Sequence, residues 1–202
     1  MTFTFTTLAE IVRHQAATLP ERIALIFVDR DTSYGALDLR SSQVANGLIA
    51  AGLNPQSRVA LLDKNHDSFF EIWFGAAKAN AVLVPINWRL APPDIAFVVN
   101  DAEVEIPFVG AEFLDTVAAI RDQLTSVRKI VVIDQDYAAW RHRQSAADPN
   151  LPTVGADVCF QLYTSSTTGC PKGAQLTNIN LLTELSLLDT MGDCTISRSN
   201  TF

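Results

Sequence analysis

The sequence predicts an α/β fold: a largely parallel sheet with flanking helices. Three observations point there. Short apolar runs alternate with stretches of helical periodicity along most of the chain. Runs such as Arg58 to Leu62, apolar after its first residue, and Ala81 to Ile86 suit strands buried on both faces. Residues suited to helix ends, Ser33, Gly52 and Asn80, fall where the periodicity changes.

Taken in order, Leu8, Ile11 and Val12 with Gln15 and Ala16 form a helical face that stops at Leu19-Pro20. Arg22 to Val28 reads as a strand and Asp29-Arg30-Asp31 as its turn. Ser33 caps a helix marked by Tyr34, Leu37, Ser41, Val44, Ala45 and Leu48, which Gly52 ends. Arg58 to Leu62 is the next strand. The helix carrying Phe69, Phe70, Ile72, Trp73, Phe74, Ala76 and Ala77 is apolar almost all round, which predicts burial on several sides and packing as the main use of its aromatics. Asn80 suits the left-handed position at its end. Ala81 to Ile86 is a strand, and Pro92-Pro93-Asp94 opens a helix through Asn100. A strand from Glu105 to Val109, a helix from Ala111 to Leu124 and a strand from Lys129 to Ile133 follow. Residues 135–156 hold the weakest pattern and read as a helix followed by an exposed connection. The motif strand, Val158 to Leu162, and a helix from near Asn178 complete the alternation.

The chain has 202 residues, 48% of them hydrophobic, enough for one sizeable core or two small ones. A net charge of −7 argues against nucleic-acid binding, and it means any anion site must be local. No basic stretch followed by an apolar run opens the chain, so no signal peptide is expected, and Lys78 interrupts the longest candidate for a membrane span. Cys159, Cys170 and Cys194 are odd in number and lack metal-ligand spacing, as reduced thiols in a cytoplasmic protein do. His14, His66 and His142 lie far apart and read as surface or capping residues.

The most informative stretch is Tyr163-Thr164-Ser165-Ser166-Thr167-Thr168-Gly169-Cys170-Pro171-Lys172-Gly173. A strand leading into small hydroxyl residues, glycine and one lysine is a common way to hold phosphate: backbone N–H groups and hydroxyls surround the anion and the ammonium adds a point charge. It is not a Walker A loop, which needs Gly-Lys-Ser/Thr after a first glycine and four residues. A serine-dependent hydrolase would need a base beside Ser165 or Ser166, and the Thr-Thr-Gly-x-Pro-Lys order fits that poorly.

The order Thr-Ser-x-Thr-Thr-Gly-x-Pro-Lys-Gly resembles the phosphate-loop signature of the AMP-forming acyl-adenylate synthetases, the family of acyl-CoA synthetases, luciferases and peptide-synthetase adenylation domains. Two positions depart from it. Ser166 stands where the family usually has glycine, and Gln175-Leu176-Thr177-Asn178 stands where a histidine often follows Ser/Thr. The likeness runs from about Leu8 to about Leu188, through Leu-Pro-Glu-Arg at 19–22, Ser57-Arg58-Val59-Ala60, the segment from Gly75 to Val82, and Pro85-Ile86-Asn87-Trp88-Arg89-Leu90. Arg89 reads as half of a structural ion pair.

The resemblance implies that residues 1–192 are a partial N-terminal adenylation domain and that 193–202 are a divergent tail, expected to be disordered. It implies ATP with Mg²⁺, a carboxylic acid (fatty or aromatic) and CoA as the small molecules of the complete enzyme. Thr164, Ser165, Ser166, Thr167, Thr168, Gly169 and Lys172 would meet the ATP phosphates. The family's later Tyr-Gly-x-Thr-Glu segment, its ribose-binding Asp and its C-terminal catalytic lysine are not in this sequence. The expectation is therefore a truncated ligase, inactive alone. The alternative is a non-catalytic partner protein that associates through an exposed sheet edge.

Overall fold

The computed structural model describes residues 5–164 and 171–191, so Ser165 to Cys170 and the tail 193–202 lie outside the described residues. Helix α1 (Leu8–Thr18) starts where the Glu10 carboxylate accepts from the backbone N–H groups of Thr6 and Thr7, and it stops before Pro20. Strands β1 (Ile23–Phe27) and β2 (Arg30–Ser33) form an antiparallel hairpin. The expected turn at Asp29-Arg30-Asp31 is corrected: Arg30 and Asp31 already pair with Phe27 and Ile26, and the turn is Val28-Asp29 with Val28 at φ 56°. A two-residue hairpin loop demands positive φ, which a β-branched residue conceals in the sequence.

Ser33 caps α2 (Tyr34–Ala50) by accepting from the Ala36 N–H at 3.2 Å, and Gly52 leaves the helix at φ 77°. Strand β3 (Arg58–Leu62), helix α3 (Ser68–Lys78) and strand β4 (Val82–Pro85) follow, with Asn80 at φ 51° between the last two. Helix α4 (Pro92–Asp101) leads to strand β5 (Val104–Val109). The helix expected from Ala111 to Leu124 is interrupted. Helix α5 (Leu114–Ile120) has a 3-10 turn at each end, and Phe113, Val117, Ile120 and Leu124 all reach one core. Strand β6 (Val131–Val132) is shorter than expected. A π turn over Ile133–Tyr137 and helix α6 (Ala138–His142) follow it.

Strand β7 (Val158–Thr164) runs into the motif, and helix α7 (Asn178–Met191) ends the described chain. Between them the structure adds a strand the sequence pattern does not reveal, β8 (Lys172–Thr177), antiparallel to β7. The main sheet has the order β6-β5-β3-β4-β7-β8, parallel except for β8.

Strand β3 pairs with both β4 and β5, so the crossovers through α3 and α4 leave in opposite directions and cover opposite faces. On one face α2, α3 and α6 bury Val44, Leu48, Ile72, Ala76 and Trp140 against Val59, Leu83 and Phe108. On the other, α4 and α5 bury Ile95, Val98, Val99 and Val117 against Ala60, Val84 and Val109. Trp140 needs Gly47 beneath it, since a Cβ there would lie 2.4 Å from the indole Cζ2. The seam between β4 and β7 is narrow, with Leu83 and Phe160 as its registered pair. The Gln56 side chain supplements it: its amide oxygen accepts from Val158 N–H at 3.1 Å, and its amide nitrogen donates to Val158 O and to Asn80 Oδ1.

Lys78 carries the expected interruption of the apolar run and is 0% exposed. A buried ammonium needs its protons matched. Nζ donates to Asp38 Oδ1 at 2.6 Å, to Ser42 Oγ at 2.7 Å and to Asp38 O at 3.0 Å, and it pairs with Asp148 Oδ2 at 3.1 Å. Asp148 in turn receives a two-pronged contact from Arg13, at 2.8 Å on each prong. A second buried group, Glu71, joins Arg40 of α2 at 3.0 Å, the Tyr137 hydroxyl at 2.7 Å and Arg141 of α6.

These contacts set two expectations. Replacing Lys78 by Met leaves Asp38 and Asp148 facing each other without their cation and lowers unfolding stability by about 2 kcal/mol, measurable by urea denaturation. Burial alone would push the Asp148 carboxyl up, but Arg13, the Asn150 N–H and Lys78 outweigh it and hold it well below the ordinary carboxylate range. A lowered folded value gives stability that is present above about pH 5 and is lost as pH falls below about pH 4. Asp148→Asn removes that part of the acid sensitivity in a pH series of melts.

Candidate functional site

The crevice outside the carboxyl ends of β3 and β4, where successive crossovers diverge, is the switch point of an open parallel sheet. A cavity of about 660 Å³ lies there. Its walls come from the segment after β3 (Asp63, Lys64, Asn65), the segment after β4 (Ile86, Asn87, Trp88) and the end of β7 (Leu162, Tyr163, Thr164) with Pro171. A second depression of about 650 Å³ lies near the starts of β3 and β5, lined by Ser57, Arg58, Glu103 and Glu105, and holds no residue of the motif.

The described ends of the motif are therefore two antiparallel strands, β7 and β8. Thr164 closes β7 and lines the cavity. Lys172 opens β8, is exposed, and is paired across the ribbon with Thr164. Ser165, Ser166, Thr167, Thr168 and Gly169 lie outside the described residues. Of the predicted set, Thr164 and Lys172 are brought together. The ribbon then turns into α7 through an N-terminal box: Thr177 N–H donates to Asn180 Oδ1 at 3.0 Å, and Asn180 N–H donates to Thr177 Oγ1 at 3.3 Å.

Asn178, where the family often has histidine, is buried and structural. Its Oδ1 accepts from Leu8 N–H at 2.9 Å, and its Nδ2 donates to Val154 O and Asp157 O. Sequence reasoning marked the position as a departure and as the start of a helix, but not as an anchor for α1. The uncommon signal was an Asn one residue into a helix, where a side chain can tie down neighbouring backbone.

The aromatics of α3 mainly pack, as expected, though one of them also reaches the cavity. Trp73 packs on Phe160 at 5.1 Å and on Phe69 at 5.8 Å, and Phe69 also lines the cavity. Arg89 corrects its expectation: its guanidinium lies 4.0 Å from the centroid of the Trp88 ring and forms no ion pair with a described residue. Lys64 sits 5.3 Å from the same centroid and pairs with Glu112 at 2.6 Å. His66 acts at the start of α3, its Nδ1 2.8 Å from Ser68 Oγ. Burial pushes the Cys159 thiol up to about 12, so it is no thiolate at neutral pH. Among the described residues no group of three or more His, Cys, Asp or Glu is arranged to hold a metal, and no helix is long and apolar enough to cross a membrane.

An open, doubly covered sheet with a cavity at its switch point, walled in part by the end of β7, defines a class of α/β proteins that take small ligands beyond the strand ends. The chain belongs to the family of AMP-binding enzymes, whose profile matches residues 12–200. It is 36% identical over 171 residues to the fatty acid–[acyl-carrier-protein] ligase ScoC of Streptomyces coeruleorubidus, an alignment covering 84% of this chain and 33% of that one. The inhibitor-bound N-terminal domain of FACL13 from Mycobacterium tuberculosis superposes with a TM-score of 0.82 at 32% identity, covering 86% of this chain and 45% of that one. ATP-bound MatB from Rhodopseudomonas palustris gives 0.77 at 26% identity, covering 90% and 37%. The chain thus spans about a third of the length of the curated relatives it matches.

Asp63 supplies a test of the cavity wall. Burial, with Asp134 and Glu112 nearby, raises its carboxyl, while the Lys64 N–H bond opposes the rise. A raised folded value means that ionising Asp63 destabilises the fold as pH climbs. Asp63→Asn keeps an acceptor for Lys64 N–H, so its melting temperature at pH 7 should exceed the parent's. The gap should close below about pH 4, where Asp63 is protonated in both states.

Proposed function

We propose that this chain contributes the phosphate-holding part of an ATP-dependent carboxylic acid–CoA ligase, with a fatty acid as the acid. The observation that carries the reading is Thr164 in the wall of the switch-point cavity with Lys172 opposite it in the β7–β8 register. The lysine ammonium and the hydroxyl run from Thr164 to Thr168, with Gly169, are the groups that would grip the ATP phosphates. In the reaction a carboxylate oxygen of the acid bonds to the α-phosphorus as the bond to the bridging oxygen breaks and pyrophosphate leaves. The CoA thiol then attacks the acyl carbon and AMP departs. Lys172 offsets charge gathering on the leaving phosphates, the kind of contribution on which phosphoryl chemistry chiefly depends. Mg²⁺ belongs to ATP in such chemistry. Of the described carboxylates Asp63 and Asp94 line the cavity, and no step is assigned to a protein-held ion. A cytoplasmic location suits ATP and CoA as substrates. Residues 1–192 are read as one partial adenylation domain.

A second reading, association with another chain, is favoured by a specific feature. β8 is one of the two edge strands of the described sheet, and Leu162 of its neighbour β7 is exposed, as are Ile179 and Leu185 of α7.

A thermal-shift titration with MgATP tests the first reading, because binding to the folded state must raise the melting temperature. A saturable rise is expected, abolished by Lys172→Ala and enlarged by Ser166→Gly, which restores close backbone approach. A cooperative melt that MgATP leaves unmoved would count against ATP binding and in favour of association. Sedimentation with candidate partner chains would then be the measurement to make.

A further inference from the structure

The ribbon that carries Thr164 and Lys172 is held by a small polar array that the proposed chemistry does not use. The Tyr163 hydroxyl donates to Asp101 Oδ2 at 2.5 Å, across from the end of α4, and accepts from Gln161 Nε2 at 3.0 Å. The Tyr163 ring lies over Gly173, its cross-strand partner: a Cβ on Gly173 would sit 2.9 Å from Tyr163 Cζ and 2.6 Å from Gln161 Nε2. Gln161 is 4% exposed, and its Oε1 has no hydrogen-bond partner among the described residues, so the Tyr163 hydroxyl is what its amide group has.

Register in a β ribbon is weakly fixed when its strands are short and polar, and slipping by one residue turns every side chain to the other face. β8 is such a strand, with Lys172, Ala174 and Gln175 exposed. The ring of Tyr163 fits over a residue without Cβ, and Gly173 is the one glycine of β8. An aromatic laid across a strand glycine and tied at its hydroxyl to a separate helix allows one register only.

We propose that Tyr163, anchored by Asp101 and seated on Gly173, is a positioning residue that fixes the β7–β8 register and so sets Lys172 opposite Thr164. This rests on the reading of Lys172 as the phosphate cation for its consequence in binding, but the register lock stands on its own contacts. It also assigns a use to the final glycine of the Pro-Lys-Gly sequence: room for a ring, at a position where positive φ is not required.

Hydrogen–deuterium exchange of the full chain, read on peptides covering 172–177, tests the lock directly, with MgATP affinity measured on the same variants. Asp101 is exposed, so Asp101→Ala should fold. Asp101→Ala and Tyr163→Phe are each expected to speed exchange in β8 by about tenfold, with the global melt little changed. MgATP should bind several-fold more weakly to both, and Asp101→Asn, which keeps an acceptor, should restore both readouts. Unchanged β8 exchange in both variants would overturn the lock. Faster exchange with unchanged MgATP affinity would overturn the positioning role. If the parent chain binds no MgATP while the variants still exchange faster, the lock stands and the ATP reading fails.

Discussion

One ammonium group holds together the helical layer on which the sheet rests. Lys78 ends α3 in full burial, and its protons are taken by Asp38 and Ser42 of α2 and by Asp148 of the connection into β7. Asp148 passes the linkage on to Arg13 of α1. Three helices and a loop are therefore linked through one charge, in a layer whose remaining contacts are mostly apolar. Apolar packing sets how close α2 and α3 lie. The directional bonds of Lys78 set how they are rotated, because a buried charge tolerates few arrangements. Glu71, two turns earlier on α3, repeats the device toward α6 through Arg141 and Tyr137.

That fixed layer has a consequence at the other end of the sheet. α3 leaves β3 on one face and α4 leaves β4 on the other, so the strand ends part and the cavity opens between them. Two of its walls belong to the rigid β3–β4–β5 centre. The third belongs to the β7–β8 ribbon, which carries the hydroxyl-and-lysine motif. The cavity wall thus draws on both the sheet centre and the ribbon, and the polar contacts of Tyr163 are part of what joins them.

Much of the fold was legible because its signals are local. Apolar runs gave β3 and β4 their positions, Ser33 and Asn80 marked helix ends by side-chain chemistry, and Pro92 opened α4. What was hidden depends on partners distant in sequence. β8 has no alternation to read, since none of its residues is fully buried and adjacent Ala174 and Gln175 are both exposed, and its pairing comes from β7. β2 was hidden by a valine at positive φ. Lys78 looked like a mere break in an apolar run because its three acceptors lie 36 or more residues away. At the site, residue order made the motif visible and placed Thr164 and Lys172 in one neighbourhood. That they face each other across a ribbon, and that Asn178 anchors α1, could be seen only in three dimensions.

The clasp made by Gln56 has a mechanical meaning. Where β3 and β4 are registered over four residue pairs, β4 and β7 share one, and a side-chain amide supplies bonds to Val158 that a neighbouring backbone would otherwise make. The foot of the ribbon is thus fastened by one backbone pair, the Gln56 amide and the packing of Phe160 on Trp73, while its far end is fastened separately, by Tyr163 to Asp101 of α4.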